Sequence, residues 1–200
     1  LTLATLRHRI PPMTCSILCL DDDEACGVEP GRRVLATHLA CVLFTSGSSG
    51  RPKAVTMPHR ALVNLMQWQV TRSGLPAGTR TMQFAAPGFD VSFQEMFATW
   101  AAGGTLVLAP DSARRDFAAL LALMAEERIA RVFLPTAALQ PLALAGLEAG
   151  AALPSLRQII VAGEALRITH EMRRFFAMLP GCTLENQYGP TETHVVSAFT

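Results

Sequence analysis

Charged residues are scarce in this sequence, and neither sign is in excess. They make up 16% of the 200 residues, and the formal net charge is +1. Proteins that bind nucleic acid usually carry a basic stripe, so we expect no nucleic-acid partner. The apolar runs are interrupted by Gly, Pro or charged residues well short of the ~20 residues that span a membrane, so we expect no membrane segment. Half of the residues are hydrophobic, which is typical of a globular protein and excludes disorder.

Cysteines are few and irregularly spaced. Their odd number does not indicate a disulfide framework, and no second cysteine pair or histidine pair completes a zinc site. The first residues also lack the basic and then apolar pattern of a secretory signal. We therefore predict free thiols and a cytoplasmic protein. The five cysteines are Cys15, Cys19, Cys26, Cys41 and Cys182.

Strand-like apolar runs alternate with amphipathic, helix-like segments along most of the chain. This alternation predicts an α/β fold with mostly parallel sheets flanked by helices. The acidic cluster at 21–24 is interpreted as a solvated turn, and 25–38 as a loop. Strands are predicted at 16–20, 41–45, 54–57, 81–85, 105–109, 131–134, 157–162 and 183–188, with strand character again at 195–200. Helices are predicted at about 58–71, 91–101, 116–127, 136–146 and 169–178.

The most informative stretch is the loop at residues 45–53, which follows directly after a predicted strand. Its glycines allow backbone N–H groups to turn toward an anion, its hydroxyls add donors, and Lys53 adds a positive charge. A flexible linker is not expected between two apolar strands. A Walker A loop needs Gly-Lys-Ser/Thr at the start of a helix, whereas Lys53 comes three residues after Gly50 and leads into an extended run. The loop therefore predicts a triphosphate site of another kind.

Three stretches together carry a resemblance to a known family. Residues 45–53 resemble the glycine-rich phosphate loop of the adenylate-forming superfamily, except that Ala54 stands where the usual form has Gly. Residues 88–97 and 184–193 resemble the segments in which adenylation domains of nonribosomal peptide synthetases begin their amino-acid pocket and bind their nucleotide. The resemblance implies that residues 1–200 are part of the large N-terminal AMP-binding domain of such an enzyme. We expect an upstream part and a small C-terminal domain beyond this sequence.

The resemblance implies a set of ATP- and AMP-binding residues. Tyr188 would stack on adenine, and Glu192 would help to hold Mg²⁺, as suits an aromatic face and a hard carboxylate oxygen. Lys53 and Glu192 would be the catalytic residues. The alternative for residues 189–191 is a plain Gly-Pro turn with Thr as a helix N-cap. The implied nucleotide set is Thr45, Ser46, Gly47, Ser48, Ser49, Gly50, Lys53, Asn186, Tyr188, Gly189 and Thr191.

The resemblance also implies an amino-acid pocket. Asp90 would pair with the substrate α-ammonium, and the alternative is that it caps the helix predicted from Val91. Glu164 is interpreted either as part of the cleft or as an exposed acid near the start of the following helix. The pocket positions resemble those of proline-activating domains, although Gln187 replaces the more familiar His. We expect L-proline or a related cyclic imino acid. The pocket set is Asp90, Val91, Gln94, Phe133, Ile160, Ala162, Gly163, Gln187 and Val195.

The reaction implied by the resemblance joins ATP and an amino acid into an aminoacyl-AMP and pyrophosphate, with Mg²⁺ as cofactor. The acyl group would then pass to the phosphopantetheine of a peptidyl carrier domain, beside a condensation domain, in nonribosomal peptide synthesis. One alternative is an acyl- or aryl-CoA ligase, whose substrate has no ammonium for Asp90 to pair with. Another is an inactive nucleotide-binding module.

Overall fold

The computed structural model describes residues 3–12, 14, 17, 19, 21, 33–47 and 50–200. They fall into two compact units, residues 1–35 and residues 36–200. In the first unit, Ala4–Arg9 form a short 3₁₀ helix, and the N–H of Ala4 donates to the carboxylate of Asp21 at 2.8 Å. Most of the predicted strand at 16–20 and of the acidic cluster at 21–24 lies outside the described residues, as do Cys15 and Cys26.

The second unit confirms the predicted alternation of strands and helices. Each element predicted from residue 41 onward is present, with small displacements of its ends. None of the helices within the described ranges is long and apolar enough to cross a membrane. The strands are β1 (Leu39–Thr45), β2 (Lys53–Pro58), β3 (Arg80–Gln83), β4 (Thr105–Leu108), β5 (Arg131–Pro135), β6 (Gln158–Ala162), β7 (Thr183–Tyr188) and β8 (Ser197–Phe199); the α-helices are α1 (His59–Ser73), α2 (Asp90–Ala101), α3 (Phe117–Glu126), α4 (Thr136–Ala149) and α5 (His170–Ala177).

The strands form one large sheet and one separate hairpin. The large sheet has the order β4-β3-β5-β6-β7-β8, and all its neighbours are parallel except β8, which runs antiparallel to β7. The hairpin pairs β1 with β2 in antiparallel register. A short loop can join antiparallel strands, whereas a parallel pair needs a long crossover. The predicted phosphate loop is therefore the tip of a hairpin and not part of a parallel βαβ unit.

The two faces of the large sheet pack against different elements. On one face, Val132 of β5 and Ile159 of β6 belong to the main apolar core, together with buried residues of α3, α4 and α5 such as Leu139. Side chains alternate between faces along a strand, so the next residues, Phe133 and Ile160, point to the opposite face. These two lie opposite each other in the β5–β6 register. Both are almost fully buried, although they lie outside the main core.

Helix α2 covers that second face. The guanidinium of Arg131 on β5 donates to the hydroxyl of Thr99 on α2 at 3.2 Å, and the amide of Gln94 on α2 donates to Gln187 on β7 at 3.0 Å. All four side chains are buried. The space between α2 and the sheet is therefore lined by polar as well as apolar groups, unlike the core on the other face.

Helix starts follow local side-chain chemistry where the sequence provides it. Asp116 accepts from the N–H groups of Ala118 and Ala119 ahead of α3, and Thr169 accepts from an N–H of the first turn of α5. In α2, the cap position is Phe89, which has no capping side chain. Asp90 is thus the first residue of the helix and not its cap. The helix dipole favours a negative charge in this first turn.

A buried carboxylate ties α2 to the end of β3. Both oxygens of Glu95 accept from the N–H of Ala85, and one accepts from the N–H of Phe84, at distances of 3.0 to 3.1 Å. The side chain has no exposed area. Burial raises the pKa of Glu95 to about 7, against the lowering effect of these hydrogen bonds and of the charge on Arg114.

We predict that Glu95 makes the fold less stable as the pH rises. Its folded pKa lies above its unfolded value, so its contribution is complete below about pH 4.5 and is lost as the pH rises to about 7. The shift corresponds to about 3 kcal/mol. Glu95→Gln should remove this part of the pH dependence, measured as the free energy of unfolding by urea at about pH 4.5 and about pH 8. The control Glu148→Gln changes an exposed carboxylate and should keep the pH dependence of the parent. The prediction would be contradicted if the free energy of unfolding changed between the two pH values by the same amount in the parent and in Glu95→Gln.

Candidate functional site

The predicted substrate residues gather at the carboxyl edge of the large sheet. Strands β5, β6 and β7 end there side by side, and α2 begins near the same edge, after the short connection from β3. Open α/β sheets usually bind their ligands at this edge. Of the predicted set, α2 carries Asp90, Val91 and Gln94, β5 carries Phe133, β6 carries Ile160 and Ala162 with Gly163 directly after it, β7 carries Gln187, and the β7–β8 loop carries Val195.

Contacts bring several of these residues together in space. The amides of Gln94 and Gln187 are hydrogen bonded to each other. Val195 packs against Leu65 and Met66 of α1 and Ala98 of α2 in a small apolar cluster. Helices α1 and α2, strand β7 and the β7–β8 loop therefore enclose one region, which the sequence predicted only as separate motifs.

A buried glutamine of α1 is part of this region and was not among the predicted site residues. The side-chain oxygen of Gln69 accepts from the amide nitrogen of Gln94 at 2.5 Å and from that of Gln187 at 2.8 Å. Gln69 has no exposed area. It follows Leu65 and Met66 at helical spacing, so a polar side chain on the apolar face of the helix was the available sequence signal.

The network continues from Gln187 to a buried ion pair. The amide nitrogen of Gln187 also donates to Glu185 at 2.6 Å, and the second carboxylate oxygen of Glu185 accepts from Arg72 at 2.7 Å. Glu185 is 2% exposed, whereas a third of the Arg72 side chain is exposed. A buried carboxylate is costly unless it is paired and hydrogen bonded, and here it is both.

Asp90 lies at the start of α2, with one oxygen accepting from the N–H of Val91 at 2.8 Å. Its other oxygen is 3.8 Å from Nδ1 of His194, a residue that the sequence analysis did not single out. The Asp90 side chain is 19% exposed and that of His194 is 5% exposed. Burial lowers the pKa of His194, and the charge of Asp90 acts in the opposite direction. His194 is therefore neutral at physiological pH, which leaves the carboxylate of Asp90 available to a cation.

The predicted phosphate loop connects β1 to β2. Thr45 pairs with Lys53 at the base of the hairpin, and the N–H of Gly50 donates to the carbonyl oxygen of Gly47 at 3.1 Å. Gly47 has φ +64°, and a Cβ atom there would overlap the carbonyl oxygen of Arg51, so only glycine fits. Lys53 begins a strand and not a helix, which excludes the Walker A alternative.

The phosphate loop carries exposed polar side chains close to the start of α2. Ser46 is exposed in the loop, and Ser48 and Ser49 lie outside the described residues. Lys53 is exposed and is the chain's single lysine. On β1, the pKa of the Cys41 thiol is raised by burial and further by the charge of Asp90. The hairpin and the start of α2 are therefore close enough for their charges to interact.

The second nucleotide segment forms a tight loop after β7. The N–H of Val196 donates to the carbonyl oxygen of Tyr188 at 2.8 Å, which closes the loop on itself. A Cβ atom on Gly189 would overlap the carbonyl oxygen of His194, so the chain passes there only because the residue is glycine. The Tyr188 ring is 69% exposed. Strand β8, and not a helix, follows the loop, so the alternative of a Thr helix N-cap is wrong.

Glu192 and Glu164 are both exposed carboxylates near the carboxyl edge. The described residues contain no group of three or more His, Cys, Asp or Glu side chains that would hold a metal by themselves. Mg²⁺ is usually bound by one or two carboxylates together with substrate phosphates, so the single carboxylate of Glu192 fits that mode. Helix α5 begins at His170, well after Glu164, so the interpretation of Glu164 as a helix-start acid is wrong.

Two cavities adjoin α1. A cavity of 430 Å³ between α1 and the β7–β8 loop is lined in part by Trp68, Arg72, His194 and Val195, and so borders the predicted pocket. A larger cavity of 600 Å³ is lined mainly by apolar residues of α1 and α2, such as Trp100, and contains none of the predicted site residues. The smaller cavity is therefore the one related to the candidate site.

Known proteins resemble this chain along most of its length. It is 34% identical over 159 residues to tyrocidine synthase 2 of Brevibacillus parabrevis, a match that covers 80% of this chain and 4% of that protein. It is 36% identical over 206 residues to the phosphinothricin tripeptide synthetase PhsC of Streptomyces viridochromogenes, covering 100% of this chain and 18% of that protein. This chain therefore spans only a small part of the length of these relatives.

A solved structure shows the same fold. The AMPPNP-bound form of the nonribosomal peptide synthetase FmoA3 aligns with a TM-score of 0.79 and 26% identity, over 95% of this chain and 20% of that one. The AMP-binding enzyme family matches residues 11–200, which is nearly the whole chain. This chain belongs to the family of AMP-binding enzymes.

Proposed function

We propose that this chain is the substrate-binding part of an enzyme that activates an amino acid with ATP, giving an aminoacyl-AMP and pyrophosphate. The observation that carries the proposal is the hydrogen bond at the carboxyl edge of the sheet between Gln187 on β7 and Gln94 on α2, which follows Asp90 by one helical turn. One of the relatives named above is a tripeptide synthetase, and one similar structure, itself a peptide synthetase, has AMPPNP bound. Both facts support the use of ATP and of an amino acid.

Asp90 is proposed to bind the α-ammonium of the substrate. Activation removes the charge of the substrate carboxylate and leaves a cation, which a partly buried carboxylate compensates at ~1.5–3 kcal/mol for a charge-assisted hydrogen bond. Asp90 is largely buried and its neighbour His194 is neutral, so no cation of the described residues occupies the carboxylate. An acyl- or aryl-CoA ligase would leave this charge unpaired, which makes an amino acid the better substrate.

L-proline or a related cyclic imino acid is the proposed substrate. The Phe133 and Ile160 side chains are apolar, nearly fully buried and adjacent on the face of the sheet that α2 covers. Val195 adds a third apolar side chain from the β7–β8 loop, and Val91 and Ala162 are small. A compact ring with no polar group on it suits such surroundings, while its secondary ammonium still has N–H donors for Asp90.

The nucleotide is proposed to lie between the hairpin loop and the loop after β7. The backbone N–H groups around Gly47 and Gly50 and the charge of Lys53 would hold its phosphates. The exposed ring of Tyr188 is available to stack on adenine. Bound Mg²⁺ would neutralise phosphate charge, with Glu192 as its protein ligand. The chemical step then depends mainly on positioning and on charge neutralisation by these groups.

The activated amino acid is proposed to pass to the phosphopantetheine thiol of a peptidyl carrier domain. A condensation domain would then use the thioester in nonribosomal peptide synthesis in the cytoplasm. The relatives are several times longer than this chain, and this length supports such neighbouring domains.

The proposal predicts that proline gives the fastest amino-acid-dependent ATP–pyrophosphate exchange in an adenylation domain that carries this chain. Rates are compared for proline, pipecolate, valine, phenylalanine and glutamate. Pipecolate should come next, because an apolar pocket separates substrates that differ by one methylene by only ~1–3 kcal/mol. Preference for an acyclic amino acid would contradict the imino-acid assignment alone, while no exchange with any amino acid would contradict the activation itself.

Lys53→Ala in the same domain is expected to raise the KM for ATP by about tenfold or more, because one charge-assisted contact to a phosphate is lost. The KM for the amino acid should change much less. Arg173→Ala removes an exposed cation from α5, far along the chain from the loop, and serves as the control. Equal KM and kcat for ATP in the parent and Lys53→Ala would show that Lys53 has no role in phosphate binding.

Tyr188→Ala is expected to weaken binding of a non-hydrolysable ATP analogue by ~0.5–1.5 kcal/mol through loss of stacking. Calorimetric titration measures the change. Tyr188→Phe keeps the ring and removes only the hydroxyl, so it should retain most of the affinity. If Tyr188→Ala binds the analogue as tightly as the parent, adenine does not stack there.

A further inference from the structure

Three buried glutamines, each from a different element, meet beside the candidate amino-acid pocket. They are Gln69 of α1, Gln94 of α2 and Gln187 of β7, and none is more than 2% exposed. We infer that Gln69 determines specificity by holding the amides of Gln94 and Gln187 so that neither offers a free donor to the substrate. This inference rests on the proposed function, since it concerns which amino acids the same pocket accepts.

The hydrogen bonds account for every amide N–H of the two pocket residues. A primary amide has two N–H donors. Those of Gln94 face the oxygen of Gln69 at 2.5 Å and the oxygen of Gln187 at 3.0 Å. Those of Gln187 face the oxygen of Gln69 at 2.8 Å and a carboxylate oxygen of Glu185 at 2.6 Å. The oxygen of Gln69 is thus the acceptor that both residues share.

An ion pair between Glu185 and Arg72 holds the end of this network in place. Glu185, which accepts from Gln187, also accepts from Arg72 at 2.7 Å. Arg72 in turn donates to the hydroxyl of Thr200 at 3.0 Å and lies 5.7 Å from the centre of the Trp68 ring. The Gln187 amide therefore cannot rotate toward the pocket without breaking its bond to a buried carboxylate.

The occupied donors decide which side chains the pocket tolerates. A substrate with a hydroxyl or amide on its side chain would give up its bonds to water and find no donor in Gln94 or Gln187 to replace them. The amide nitrogen of Gln69 has no hydrogen-bond partner, but the side chain has no exposed area and so does not reach the substrate. An apolar ring has no side-chain hydrogen bonds to water to give up when it enters the same space. Two glutamines at pocket positions would otherwise indicate a polar substrate, and Gln69 is the residue that reverses this expectation.

The test is Gln69→Met, which keeps the length of the side chain and removes the shared acceptor. Exchange kinetics are measured for proline and for 4-hydroxyproline, two rings that differ by one hydroxyl. The ratio of their kcat/KM values should fall by about tenfold, mainly through KM for the amino acid, because freed donors can now bond the hydroxyl. The KM for ATP should not change, whereas a general loss of structure would alter it as well.

Gln67→Met places the same substitution on the exposed side of α1 and should leave the ratio as in the parent. If Gln69→Met does not fold, judged by loss of a cooperative thermal transition, Gln69→Leu is measured; it also removes the shared acceptor without adding a charge and should lower the ratio in the same way. An unchanged ratio in a folded Gln69→Met or Gln69→Leu overturns the inference and leaves the proposed function intact. If the parent domain activates no amino acid, the proposed function is wrong and the inference falls with it.

Discussion

The need to satisfy buried polar groups determines how this molecule is assembled around its candidate site. Gln69, Gln94, Glu185 and Gln187 come from three elements, and each is buried beside the others. An unsatisfied buried amide or carboxylate is costly, so α1, α2 and β7 must come together for the amide nitrogens of Gln94 and Gln187 and the carboxylate of Glu185 to find their partners. The amide nitrogen of Gln69 is the one group of this set that has no partner. The polar contacts therefore favour one arrangement of the helices over the sheet. Apolar packing alone would be less specific, because it does not require particular donors to meet particular acceptors.

Strand alternation gives the large sheet one face in the apolar core and one face toward the candidate pocket. Val132 and Ile159 belong to the apolar core formed with α3, α4 and α5, whereas their neighbours Phe133 and Ile160 face α2. A change on the first face would alter packing density and stability, while a change on the second would alter the candidate pocket. The same strands can therefore keep one core and present different pockets.

The charges at the start of α2 are controlled mainly by burial. Glu95 has a pKa of about 7 because it is desolvated, although two backbone N–H groups and Arg114 oppose the shift. His194 is kept neutral by the same cause, against the charge of Asp90. Asp90 thus has a neutral neighbour and lies in the first turn of a helix, where the dipole favours a negative charge. The fold thus concentrates one available negative charge where the substrate ammonium is proposed to bind.

The sequence by itself predicted the alternation of strands and helices, the glycine-rich loop and the family, because hydrophobic periodicity and short motifs are local properties. It did not predict the antiparallel hairpin, the contact of His194 with Asp90, or the hydrogen bonds of Gln69 to Gln94 and Gln187. Of the two interpretations of Glu164, the one that made it an acid near the start of the following helix was wrong, because that helix begins at His170. Gln69 and Gln187 are 118 residues apart in the chain, and only the folded sheet and helices bring them to hydrogen-bonding distance. Hydrogen-bond partners that lie so far apart in the chain leave no periodic pattern in the sequence. The packing of the helices on the sheet decides which buried donor reaches which acceptor.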